Sequence, residues 1–141
     1  MFRRLLLALF ASVLLVGPVA AEDVNAADRA AITAAIRAQL DAFRRNDAAG
    51  AFRQAAPAIQ TMFGTPDSFM AMVKGAYSPV YRAKNVEFGL LTMVEGVPVQ
   101  RVRMDGTEGR RVLALYSMEP MPEGGWRIAG CVLVEDDDKT A

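Results

Sequence analysis

The chain has 141 residues, with 16 basic and 16 acidic side chains, one Cys and no His. That even charge balance argues against a nucleic-acid partner or a polybasic membrane contact. The missing His removes the commonest general base and metal ligand, and a single thiol excludes a framework of internal disulfides.

Met1-Phe2-Arg3-Arg4 is a short basic start, and Leu5 to Val16 then runs for 12 residues without a charge. Gly17-Pro18 breaks the run, and Val19-Ala20-Ala21 offers the small residues that a signal peptidase reads. A bilayer-spanning helix needs about 20 apolar residues, so a cleavable secretory signal over 1–21 is expected, with Glu22 as the mature start. The alternative is a buried helix or a retained anchor. No Cys follows the run, so the mature protein is expected to be soluble, in the periplasm or outside the cell. The leader carries two of the 16 basic residues and no acid, leaving 14 against 16 in a single domain expected over 22–134. Glu135 to Ala141 reads as an acidic, flexible tail, with a weak cation site as the alternative.

The mature chain is helical first and strand-like afterwards, with the change near Ser78-Pro79. Asn25 suits an N-cap, and Asp28 stands three residues later at the positive end of the helix dipole. Ile32, Ile36, Leu40 and Phe43 then form one apolar stripe of a helix ending near Asn46, flanked by Ala35 and Gln39. Asp47 caps a short helix through Ala48 to Ala55. Pro57 opens a further short helix with Ile59, Met62 and Phe63, ended by Gly64. Thr65-Pro66-Asp67 opens the next, which carries Phe69, Met70, Met72, Val73 and Tyr77.

Period two takes over after Pro79. Val86, Phe88 and Leu90 alternate with Glu87, Gly89 and Leu91 up to Val94, and Glu95-Gly96 makes a tight turn. Val97 to Met104 is a second strand, Asp105 to Gly109 a hairpin loop, Val112 to Met118 a third strand and Trp126 to Val134 the last. Three hairpin connections in succession specify an antiparallel meander, and helices before strands give the α+β class. Several strands are apolar on both faces. A homodimer through the outer sheet face would cover the second face; loops and chain ends are the other cover. Cys131 lies in an apolar strand, which favours burial.

Helices before a meander that resumes at Gly124-Gly125-Trp126-Arg127-Ile128 resemble the nuclear transport factor 2-like fold. That resemblance implies a strongly bent four-stranded sheet wrapped as a cone around the N-terminal helix, with a cavity between helices and sheet. A closer resemblance, to the bacterial family catalogued as domain of unknown function 4864, rests on Ala56-Pro57-Ala58-Ile59-Gln60-Thr61-Met62-Phe63-Gly64-Thr65-Pro66, on Phe69 and Met72-Val73, on Tyr77-Ser78-Pro79-Val80-Tyr81-Arg82, on Leu115-Tyr116 and on Trp126 to Leu133. It implies small exported proteins and brings no catalytic residues.

In the cavity that the fold resemblance implies, Gln60, Phe63, Phe69, Tyr77, Tyr81, Arg82 and Tyr116 could line the mouth. Phe and Met walls would take an apolar body, and Arg82 could hold a carboxylate through two hydrogen bonds. The alternative is that the aromatics are core and Arg82 is an exposed ion-pair residue. Glu87 is the one acid inside an apolar strand; desolvation would raise its pKa as a general base requires, whereas a wet strand face would leave it ordinary. No metal-ligand spacing, phosphate-cradling Gly loop or activated nucleophile appears, and no cofactor is implied. The expectation is a non-enzymatic exported domain that binds a small ligand or another protein. A cavity enzyme of the isomerase or lyase type and a purely structural module are the alternatives.

Overall fold

The computed structural model describes residues 24–136. The leader expected over 1–21 and the tail beyond Asp136 lie outside the described residues. Among those described, no helix is long and apolar enough to cross a membrane.

Among the described residues five helices precede four strands. Helix α1 spans Ala26–Arg44, and Asn25 caps it as its sequence implies, its Oδ1 accepting the Asp28 N–H at 2.8 Å. Ile32, Ile36, Leu40 and Phe43 are all buried on one face. Asn46 leaves the helix with a positive φ of 54°, and Asp47 caps α2 (Ala48–Arg53) by accepting the Gly50 N–H at 2.9 Å. That backbone hydrogen bond holds the Asp47 carboxyl below its ordinary value. Pro57 opens α3 (Pro57–Phe63), which Gly64 ends at φ 76°. Thr65 caps α4 (Pro66–Ala76) through Ser68 N–H at 3.1 Å. Ser78–Tyr81 forms one further helical turn, α5, at the point where the sequence pattern changes from helical to strand-like. Pro79 stands at its second position, still within the first turn, where a missing N–H costs no helical hydrogen bond.

The strands β1 (Lys84–Val94), β2 (Val97–Asp105), β3 (Arg111–Pro120) and β4 (Trp126–Glu135) pair antiparallel in the order β1-β2-β3-β4, the expected meander. Glu95 and Gly96 both have positive φ, 50° and 80°, which is the two-residue turn that matches the strand twist. Strict alternation fails in β1. Phe88 faces Val102, but Leu91 rather than Leu90 faces Gln100, so one extra residue is inserted. The bulge turns Leu90 outward, where it is 70% exposed, instead of beneath the helices with Phe88.

Helices and sheet form two layers with one core between them. Val102, Met104, Ala114, Tyr116, Met118 and Ile128 on the sheet share one buried cluster with Ile32, Ile36, Leu40 and Phe43 of α1 and Phe69, Met70 and Val73 of α4. Two long-range hydrogen bonds pin the helices to the sheet side, and a third joins two helices. Trp126 Nε1 donates to Asp28 Oδ1 at 3.1 Å, and Arg44 Nη2 donates to Ala83 O at 3.2 Å. Gln39 Nε2, buried, donates to Ala51 O at 3.1 Å and ties α1 to α2.

The segment between α2 and α3 also pairs with the free edge of β4. Ile128 N–H donates to Gln54 O, and Ile128 O accepts Ala56 N–H, both at 2.8 Å. This covers the start of an otherwise open strand edge. At the other end of β4, order runs further than the tail expected from Glu135. Glu135 pairs with Val112 in the sheet. The Asp136 carboxylate stands 3.0 Å from Arg103 Nε and 3.6 Å from Arg111 Nε.

Candidate apolar cavity between helices and sheet

A cavity of about 340 Å³ lies between the helical layer and the β3–β4 end of the sheet. Its wall is built from four helices. α1 supplies Gln39 and Phe43, α3 supplies Ile59 and Phe63, α4 supplies Phe69 and Val73, and α5 supplies Val80. Tyr116 on β3 and Ile128 and Cys131 on β4 close the sheet side. Met62 and Val132 also line it and are 75% and 58% exposed, so they mark the mouth.

Phe69 holds the aromatic wall together. Its ring centroid lies 6.1 Å from Phe43, 5.6 Å from Phe52 and 5.7 Å from Phe63, all tilted or edge-on. Such pairs stabilise one relative placement of α1, α2, α3 and α4. The wall is therefore set by packing rather than by loops.

Tyr116 brings a phenol to this otherwise apolar wall. The side chain is 1% exposed, and the hydroxyl has no hydrogen-bond partner among the described residues. Cys131 faces Tyr116 across the strand pair. Burial pushes the Tyr116 phenol well above its ordinary range, and the neighbouring thiol adds to the rise. Burial also pushes the Cys131 thiol up to about 12. Little thiolate exists near neutral pH, so Cys131 is a poor nucleophile.

Of the residues expected at a ligand site, Phe63, Phe69, Tyr77 and Tyr116 line this cavity. Gln60 does not; it donates to Phe52 O at 3.0 Å and Ala55 O at 3.2 Å, bracing the segment that pairs with β4. Tyr81 donates its hydroxyl to Asn46 Oδ1, and its ring lies 4.8 Å from the Arg82 guanidinium and 5.4 Å from Lys74 Nζ. Arg82 is exposed and outside the wall. Glu87 sits on the outer face of the sheet, two-thirds exposed, with its carboxylate 2.6 Å from Arg111 Nη2. The apolar neighbours that suggested desolvation point the other way along the strand.

Sequence reasoning missed Gln39, Ile59, Val73, Val80, Ile128 and Cys131 as wall residues. Gln39 carried a signal, because it is a polar residue beside the apolar stripe of the first helix. Among the described residues no charged side chain lines the cavity, and no three of His, Cys, Asp and Glu gather as a metal site.

The fold and cavity define a two-layer α+β domain, helices on one face of an open antiparallel sheet, with an apolar space between the layers. The family model described as a domain of unknown function (DUF4864) matches residues 25–141, and the chain belongs to that family. No curated protein matches the chain.

Proposed function

We propose that the protein is an exported, non-enzymatic domain that binds a small apolar molecule between its helices and its sheet. The observation that carries this reading is the apolar cavity of about 340 Å³, walled by helices that Phe69 locks in place. Interiors are otherwise close-packed, and apolar space without an occupant costs stability. A preformed apolar pocket with few polar groups is the usual form of a small-ligand site. The nuclear transport factor 2-like cone fits the same reading, since it places a cavity on the helix-facing side of the sheet. The basic start, apolar run and small residues of 1–21 support export. A cavity enzyme finds less support, because no Asp, Glu, Lys or Arg lines the wall among the described residues, and the Tyr116 phenol and Cys131 thiol stay protonated near neutral pH.

The test is organic extraction and mass spectrometry of protein purified from its own host. The wild type is expected to release an apolar compound that a folded Ile59→Trp variant, filling the space beside Met62, does not. Equal, empty extracts from both would refute the reading.

Leu90, Val94, Val97, Val132 and Val134 are exposed. They favour a second reading, in which the outer sheet face joins two copies. Sedimentation at high concentration tests it, and a monomer throughout excludes it.

A further inference from the structure

We infer that the cavity's ligand is uncharged and ends in a hydrogen-bond acceptor, the chemistry of a medium-chain ketone, aldehyde or ester, which reaches the hydroxyl of Tyr116. This rests on the binding reading above and narrows it. Charge decides first. No Lys, Arg, Asp or Glu lines the wall among the described residues. Arg82, the cation that sequence alone offered for a carboxylate, stacks on Tyr81 outside the cavity. Arg44, which follows the wall residue Phe43 on α1, is engaged by Asp41 Oδ1 at 2.6 Å and by Ala83 O. A carboxylate entering this space would lose its hydration without gaining a counter-charge, which is strongly unfavourable.

Donors and acceptors decide next. The Gln39 amide N–H₂ is already given to Ala51 O. The Tyr116 hydroxyl is buried and has no partner among the described residues. A phenol that stays protonated at neutral pH is a donor, and an unmade hydrogen bond on a buried donor costs about 1–3 kcal/mol. An acceptor atom on the ligand removes that cost, whereas a plain hydrocarbon does not. Size decides last. At about 30 Å³ for each non-hydrogen atom, as in liquid water, the space suits a molecule of roughly ten such atoms.

Three probes of matched length separate these terms: 2-octanone, 1-chloroheptane and octanoate, titrated against the protein while the methyl NMR signals of Met62, Met72 and Ile128 are followed. We expect 2-octanone to bind, and octanoate at pH 8 to bind about tenfold more weakly or not at all. Tyr116→Phe is expected to weaken 2-octanone about fivefold, the worth of one hydrogen bond, and to leave 1-chloroheptane unchanged. Unaltered 2-octanone binding by a folded Tyr116→Phe variant overturns the inference, as does octanoate binding as tightly as the ketone. In either case binding of 1-chloroheptane still upholds the cavity as a binding site. Should none of the probes shift the wall signals, the binding reading falls together with this one.

Discussion

Tyr116, fully buried, and Cys131, half-buried, face each other on the sheet side of the cavity. Buried Gln39 and Gln100 both donate to backbone carbonyls, whereas Tyr116 carries a hydroxyl that hydrogen-bonds to nothing described. Removing it should relieve that cost. Tyr116→Phe is therefore expected to raise the stability of the empty protein by about 1 kcal/mol, measured as a higher urea midpoint. Cys131 gives a second expectation, with its sign fixed by linkage. Burial raises the folded thiol from an ordinary 9.0 to about 12. Below pH 9 the thiol is neutral in both states and its contribution is complete. As pH rises from about 9 to about 12 the unfolded chain ionises first, so stability is lost across that window. The Tyr116 phenol shifts in the same direction and adds to the loss. Urea midpoints from pH 8 to pH 11 should fall for the wild type and fall less for Cys131→Ala. Equal slopes would show that the thiol is not buried.

At the scale of elements, the caps and turns carry most of what the sequence specifies. Asn25, Asp47 and Thr65 each place a side-chain oxygen on a free helical N–H, and each marked a helix start in the sequence. Gly50 shows how tight one cap is. A Cβ there would collide with the Asp47 carboxylate. Ala is normally the better helix residue, by about 1 kcal/mol. Gly50→Ala is nevertheless expected to destabilise the protein, because it displaces the cap; a raised thermal midpoint would contradict this. The strands were legible as a meander because their turns are short and local. The β1 bulge was not, since Leu90 and Leu91 are both Leu, and only pairing with Gln100 decides which faces inward. The cavity wall was half legible for a related reason. Phe63, Phe69, Tyr77 and Tyr116 announce themselves as bulky groups, but Val80, Ile128 and Cys131 look like any core residue. Arg82 misled because Tyr77 and Tyr81 precede it closely in sequence, while as the residue capping the end of α5 it lies exposed to solvent.

At the scale of the whole molecule, the outer face of the sheet holds an ion network beside its apolar residues. Arg111 contacts Glu87 at 2.6 Å, Asp105 at 3.3 Å and Asp136 at 3.6 Å, and Arg103 shares Asp136 at 3.0 Å. Asp136, its side chain only 6% exposed, thus secures the end of β4 to β2 and β3. Losing one buried member of such a network leaves the others uncompensated. Asp136→Asn is expected to lower the urea midpoint, and to do so more at low salt than at high salt. No difference between the two salt conditions would mean that the network contributes no electrostatic stability.

The hydrogen bond from Trp126 to Asp28 joins residues 98 positions apart. The pairings among β1, β2, β3 and β4, by contrast, each link neighbours across a short turn. The hairpins can therefore zip early, while helix-to-sheet closure must wait for the largest loop, at a greater loss of chain entropy. Trp126 is the chain's single tryptophan, so its emission is a clock for that final closure. In stopped-flow refolding, β-sheet circular dichroism should lead and tryptophan fluorescence should lag, and Asp28→Ala should lengthen the lag without slowing the lead.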